Sequence, residues 1–368
     1  MNECLIIGGG VIGLSIAYEL ARRDCRVTLV DRREMGKEAS WAGAGILPPA
    51  TQQSTAHPYD QLRGLSYALH SEWAERLRSE TGIDTGYRVC GGIYLARSLG
   101  ESASLLGQAE YFATEGVRVE KLSRAELARL EPGLVASGFL QSAFLLPDEA
   151  QLRNPRHLQA LIIACRQRGV QLLENVEVES FSIADGCLQQ VETNRGPISA
   201  DQYCITSGAW TQALLTQINV STGILPIRGQ MILFACPQPP VRHIINEGPR
   251  YIVPRDDGHV LVGSVEEEAG FDNRTTDAVL RDLQAFACDI VPGLHSYPIE
   301  KSWAGLRPGS FDGFPYLGPL PGLTNAFVAA GHFRSGLYLS PGTATLMAQA
   351  ILGERPAIDL TPFRASRG

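Results

Sequence analysis

Gly8-Gly9-Gly10-Val11-Ile12-Gly13 is the segment of this chain with the clearest chemical potential. It follows the short apolar run Cys4–Ile7 and opens a stretch, Ile12 to Arg22, with helical spacing. In a strand–turn–helix of this kind Gly8 permits the tight turn and Gly10 lets the backbone approach a pyrophosphate. Gly13 lets helix and strand pack closely. The helix N-terminus offers free N–H groups and the positive end of a dipole to the phosphates. Asp31, 18 residues past Gly13, ends the next strand-like run, Arg26–Asp31. A carboxylate there can accept hydrogen bonds from ribose hydroxyls. Strand, helix, strand and acid form a βαβ unit of about 30 residues. They predict a dinucleotide site that includes Gly8, Gly10, Val11, Ile12, Gly13 and Asp31.

Three further groups could act beside it. Arg307 lies in Trp303-Ala304-Gly305-Leu306-Arg307-Pro308-Gly309. Flanked by glycine and proline, it reads as an arginine on a constrained turn, and its planar fork suits bidentate capture of a carboxylate. By residue type alone, a surface arginine in an ion pair is the better reading. Gly331-His332-Phe333-Arg334-Ser335-Gly336-Leu337-Tyr338 leads into the last helical pattern. A helix N-terminus there can stabilise negative charge, although a capped loop is an equal reading. Tyr251, in Arg250-Tyr251-Ile252-Val253-Pro254-Arg255, could offer a phenolic O–H or simply pack in a core.

The elements that must position these groups follow from periodicity. Helices are expected at 60–80, 102–115, 123–130, 153–168, 276–290 and 340–352. Strands are expected at 87–96, 137–146, 169–174, 187–193, 202–206, 227–235, 242–246, 250–254 and 258–264. The stretch 299–353 reads as loop-rich before its helix. The small, glycine-rich segment 35–50 suits a backbone lying against a ligand, and an extended dinucleotide such as FAD needs such a second surface beyond its pyrophosphate.

Composition excludes several classes. With 44% hydrophobic and 19% charged residues, the 368-residue chain is that of a compact protein. A net charge of −7 argues against nucleic acid as a main partner. Arg22-Arg23 and Arg32-Arg33 read as solvated faces. The eight cysteines contain no Cys-x-x-Cys pair, so no metal site is expected. Only Met1-Asn2-Glu3 precede the first apolar run, and no apolar stretch reaches the ~20 residues that span a bilayer. A cytoplasmic protein without a membrane span is the expectation.

Taken together, these segments resemble the glycine oxidases associated with thiamin biosynthesis, within the D-amino-acid oxidase and sarcosine oxidase flavoproteins. The resemblance runs over nearly the whole chain. It rests on Gly8–Gly13 with Asp31, Glu38 to Leu47, Tyr251 to Arg255, Trp303 to Gly309 and Gly331 to Gly336. It implies an α/β fold of two interleaved domains. A Rossmann-type FAD domain would come from 1–85, 148–225 and 298–368, and an antiparallel-sheet substrate domain from 86–147 and 226–297. Asp31 and Arg32 would hold the adenosine ribose side, and Val176 the adenine through its backbone. Ala39, Ser40, Ala44, Gly45 and Ile46 would line the flavin. Gly331, His332, Phe333, Arg334, Ser335, Gly336, Leu337 and Tyr338 would wrap its pyrimidine edge. Arg307 would grip the substrate carboxylate with help from Tyr251, and the Arg334 carbonyl would accept a hydrogen bond from the substrate amine.

The activity implied is oxidation of glycine, sarcosine or small D-amino acids, with oxygen as acceptor. Products would be glyoxylate or a keto acid, ammonia and hydrogen peroxide. The resemblance also covers D-amino-acid dehydrogenases that reduce a quinone and the flavin subunits of hydrogen cyanide synthases. Homo-oligomers are common in the family, though no residue here requires one. Two positions depart from the relatives. Sarcosine oxidases attach flavin to a cysteine in the region matching Gly313–Tyr316; Phe314 stands there, so non-covalent FAD is expected. In some glycine oxidases histidine and cysteine precede the position of Tyr251. Pro249 and Arg250 stand here instead, which reads as a change in pocket size and polarity.

Overall fold

A computed structural model describes residues 3–52, 57–134 and 140–367. Its first layer grows from the βαβ unit. Strand Glu3–Ile7 pairs in parallel with Arg26–Asp31 on one side and Gln202–Ile205 on the other. Gln171–Glu174 and Ala326–Ala330 extend the sheet in parallel, and Tyr316–Pro319 closes one edge antiparallel. Side chains alternate across a strand, and both faces here are apolar. Cys4, Ile6, Val27 and Leu29 pack against helices Val11–Ala21, Pro58–Thr81, Asn154–Gln167 and Gly336–Ile351. Leu5, Ile7 and Val30 pack on the other side in a cluster with Leu188 and Val191 of the hairpin Val178–Ala184/Cys187–Thr193. Runs buried on both faces are what parallel sheets require.

An eight-stranded sheet forms the second body, in the order Ile299–Gly309, Leu225–Ala235, His259–Gly263, Arg250–Arg255, Ile244–Glu247, Gly92–Ala96, Ser142–Leu146 and Glu120–Lys121. Alternation again sorts its faces. Ile252, Val260, Val262, Ile232 and Phe234 pack with Leu283 and Phe286 of helix Asp277–Ile290. Tyr251, Val253, Leu261, Met231 and Leu233 face the other way, toward Ala44 and Ile46 of the glycine-rich segment. A three-stranded ribbon of Ile46–Leu47, Ala150–Gln151 and Arg88–Val89 ties the two bodies together.

Several sequence expectations need correction. The substrate sheet is not wholly antiparallel, because Ile244–Glu247 runs parallel to Gly92–Ala96. The stretch 299–309 is an 11-residue strand, not a loop, and it pairs along its length with Leu225–Ala235. Gly305, Pro308 and Gly309 obscure it, but this is an edge strand, where a missing N–H is tolerated. Arg307 therefore projects from a strand rather than a turn. The same strand falls inside the 298–368 segment assigned to the cofactor domain. The run 87–96 is two strands broken at Cys90 and Gly91. The strand expected at 137–146 is observed as Ser142–Leu146, and its residues 137–139 lie outside the described residues. Strand Val178–Ala184 went unread; it is mostly solvent-facing, and Glu179, Ser180 and Ser182 interrupt its apolar residues.

Candidate active site

Between the two bodies lies a cavity of about 840 Å³, toward the upper end of the ~300–1,000 Å³ typical of ligand pockets. One end is built by the βαβ unit. Gly8 sits at φ +118°, a conformation that favours glycine. A Cβ on Gly13 would collide with the Gly8 carbonyl, so close helix–strand packing demands glycine there. Helix Val11–Ala21 carries no side-chain cap from Gly10; instead the Ser40 hydroxyl accepts from the Val11 N–H at 2.9 Å. Gly8, Gly10, Val11 and Ile12 line the cavity, whereas Gly13 lies behind them.

Asp31 accepts from the backbone N–H of Gly9 at 2.7 Å and of Arg33 at 2.8 Å. Burial pushes its carboxyl above the ordinary value, against the pull of those two N–H groups. Arg32 lies with its guanidinium 4.2 Å over the Trp210 ring. The Val176 N–H is engaged by the Asp31 carbonyl at 2.9 Å, so only its own carbonyl can serve a purine. Asp31, Arg32 and Val176 all line this end, together with Thr206 to Trp210, which the sequence reading missed. A strand, Gln202–Ile205, running into Thr-Ser-Gly is the signal that could have found them, because ligands bind at the carboxyl ends of parallel strands.

Ala39, Ser40, Ala44, Gly45 and Ile46 line the middle of the cavity. Buried Arg255 holds this segment in place. It donates to the Ala44 carbonyl, to Gln151 Oε1 at 2.7 Å and to the Leu152 carbonyl at 3.1 Å. Burial, reinforced by Arg153, lowers its guanidinium to about 9.

His332 to Tyr338 all reach the cavity, while Gly331 packs beneath them against Tyr316. They form the turn Phe333–Ser335 and the start of helix Gly336–Ile351, whose N-terminus has no side-chain cap. His332 is buried, bonded to the Thr343 hydroxyl at 3.1 Å, and burial lowers its imidazole to about 3. It is neutral across the working pH range and carries no exchangeable charge there. The Arg334 side chain turns away to Glu266 at 2.6 Å and the Pro249 carbonyl at 3.0 Å, which leaves its backbone to face the site.

The roof is the substrate sheet. Half-buried Arg307 crosses over Gly229, where a Cβ would overlap its guanidinium. It donates to the Ser264 hydroxyl at 2.6 Å and the Val265 carbonyl at 2.9 Å. Among the described residues no carboxylate pairs with it, so the surface ion-pair reading does not hold. Burial lowers its guanidinium and neighbouring Tyr251 opposes that shift. The Tyr251 hydroxyl rests on Met231 Sδ at 3.3 Å. Arg250, one residue away, points to the opposite face, stacks on Phe286 at 4.2 Å, and lines none of the cavity. Its substitution relative to the glycine oxidases therefore leaves pocket polarity untouched. None of the eight cysteines lines the cavity.

A continuous cleft, two helix N-termini that open onto it and a glycine cradle define a class: a flavoprotein that oxidises a small carboxylate-bearing substrate. Sequence comparison makes the family plain. Over residues 3–350 the chain matches DAO, the FAD dependent oxidoreductases, and it belongs to that family. It is 36% identical over 363 residues to a glycine oxidase of Pseudomonas aeruginosa, covering 98% of each chain. It is 33% identical to a bifunctional ThiO/ThiG protein of Nostoc, of which it covers 55%. The crystal structure of glycine oxidase from Geobacillus kaustophilus superposes with a TM-score of 0.94 at 33% identity over 100% of both chains.

The residues present fit FAD. The N-terminus of helix Val11–Ala21 opens onto the cleft with its Val11 N–H held by Ser40, Gly10 leaves room for a pyrophosphate, and the acceptor of Asp31 closes the end where a ribose would lie.

Proposed function

We propose that this protein oxidises glycine and closely related small amines with non-covalent FAD, releasing glyoxylate, ammonia and hydrogen peroxide. The observation that carries this reading is Arg307, a cation on the roof that forms no salt bridge among the described residues and keeps unused donors on its fork. Its partners Ser264 and Val265 hold it without neutralising it, so it can take a substrate carboxylate in two parallel hydrogen bonds. Tyr251 stands beside it and can add a third donor. The Arg334 carbonyl accepts from the substrate amine and turns the Cα–H toward the cavity floor. Asp31 and Arg32 hold the ribose end of the cofactor, Val176 the adenine, and Ala39 to Ile46 the flavin ring. Bound there, FAD supplies a two-electron acceptor that takes hydride from the substrate carbon and can pass the electrons to oxygen.

The N-terminus of Gly336–Ile351 faces the same region and stabilises negative charge developing near it. Burial makes His332 a poor base, and none is needed where the substrate enters as the free amine. Positioning and charge stabilisation then supply the rate. Water hydrolyses the resulting imine. The relation to ThiO/ThiG supports a place in thiamin thiazole synthesis. Peroxide release from glycine and sarcosine in air by the purified yellow protein tests this reading, and a yellow protein inert to both would overturn it.

A further inference from the structure

One buried group near the roof is unused by that mechanism. The Glu149 side chain is fully buried, with no cation paired to it among the described residues. It accepts from the Tyr94 hydroxyl at 2.6 Å and from Asn246 Nδ2 at 3.1 Å. Its carboxylate occupies the space left by Gly92, where a Cβ would collide with it. An isolated buried charge is costly unless something offsets it. Burial raises its carboxyl to about 7, while the two hydrogen bonds pull it down. The other charges at this end, Arg63 and Asp60, pair with each other at 3.0 Å, so Glu149 is the uncompensated one.

Tyr94 and Asn246 both line the cavity. Strand register puts them in one row with the substrate roof: Tyr94 opposite Asn246, Asn246 opposite Tyr251, Tyr251 opposite Gly263, and Gly263 opposite Met231. Above about pH 7, where Glu149 is ionised and where the series below is measured, its carboxylate can only accept. Asn246 must therefore turn its nitrogen to Glu149 and offer its oxygen elsewhere, and Tyr94 must give its proton to Glu149 and offer lone pairs. Among the described residues no donor reaches Asn246 Oδ1. Neighbouring strands lie about 4.8 Å apart, so this wall stands one to two strand widths beyond Tyr251. Glycine, with one carbon between carboxylate and amine, cannot touch both Arg307 and this wall.

We infer that Tyr94 and Asn246, oriented by Glu149, form an acceptor subsite for a second hydrogen-bond donor on longer substrates: a hydroxyl or ammonium carried on an N-substituent or side chain. The inference rests on the proposed amine oxidation for its placement of the carboxylate at Arg307. Glu149 is a positioning residue, since it acts through the two side chains it orients.

The test uses the holoenzyme and four N-substituted glycines: N-ethyl, N-(2-hydroxyethyl), N-(2-aminoethyl) and N-carboxymethyl (iminodiacetate). For each, kcat/KM comes from flavin reduction, and Kd from perturbation of the flavin spectrum where no reduction occurs. The hydroxyethyl compound should exceed N-ethylglycine by up to about tenfold, the worth of one neutral hydrogen bond, and the aminoethyl compound by at least that, its ammonium making the bond charge-assisted, with iminodiacetate weakest. Glu149→Gln should reduce that advantage to within about threefold, because an N–H replaces one accepting oxygen and either Asn246 must turn or Tyr94 must accept, so one of the two subsite acceptors is lost. Asn246→Leu should do the same should the first variant fail to fold. A flat series in the wild type, or preference for iminodiacetate through Arg63, overturns the subsite. So does a Glu149→Gln enzyme with a lower Tm but unchanged ratios, which would mark Glu149 as structural. If no compound reduces the flavin, glycine included, while the binding order holds, the oxidase reading fails and the subsite stands.

Discussion

Replacing Arg307 with methionine keeps the length of the side chain and removes its charge. At rest the guanidinium donates to Ser264 and Val265 and lies in reach of the Tyr251 hydroxyl, and a guanidinium has five N–H donors. At least two therefore remain, enough for a bidentate carboxylate. Two charge-assisted bonds, less the cost of drying the site, should be worth about 2–4 kcal/mol. At about 1.4 kcal/mol per decade, that is roughly 30- to 1,000-fold in kcat/KM for glycine. Because Arg307 lies on the roof strand, away from the βαβ cradle, FAD content should stay at the wild-type level. The assay is stopped-flow flavin reduction in anaerobic buffer over a glycine series, with cofactor stoichiometry from absorbance. Arg307→Lys should recover only part of the loss, since a point charge cannot grip a carboxylate and keep both Ser264 and Val265. A change below threefold in Arg307→Met, or a loss explained entirely by missing FAD, would refute the assignment.

Other perturbations separate the cofactor cradle from the roof. Asp31→Ala should purify with substoichiometric FAD, because the variant loses the ribose-side acceptor and leaves the Gly9 N–H without its partner; full flavin content would count against it. Gly13→Ala should lower both Tm and FAD content, since its methyl meets the Gly8 carbonyl, and an unchanged Tm would contradict the packing. Glu149 is held protonated up to about 7 in the folded chain, above its ordinary 4.5. The folded state thus binds that proton more tightly than the unfolded one, and this stabilisation is lost as pH rises from about 4.5 through 7. At pH 8 Glu149→Gln should therefore be more stable than wild type by about 2–3 kcal/mol. The gap should close toward pH 4.5, and denaturant unfolding at both pH values would expose a constant gap as a contradiction.

Legibility in the sequence followed the range of the interaction. The βαβ unit is local: glycine spacing, a helical pattern and Asp31 lie within the first 31 residues, and each lies where the motif requires. The alternating core runs were legible for the same reason. Arg307 was visible as a chemical group but not as part of a strand, because Gly305 and Pro308 resemble turn residues until the edge position of the strand is known. Thr206 to Trp210 went unread although the strand before it is a local signal, whereas the Tyr94–Asn246–Glu149 group escaped notice because pairings with Glu149 from residues 55 and 97 positions away create it. No periodicity in one segment carries that information. Arg250 shows the converse: a conspicuous substitution next to Tyr251 has little bearing on the pocket, since neighbouring strand residues face opposite ways.

The most direct test of the account is hydrogen peroxide release by the purified holoenzyme in air, across glycine, sarcosine, D-alanine, D-proline and L-alanine. The account predicts peroxide in step with oxygen uptake from glycine and sarcosine. No peroxide, together with flavin that those same substrates bleach even in air and that a quinone re-oxidises, would contradict it by making the enzyme a dehydrogenase.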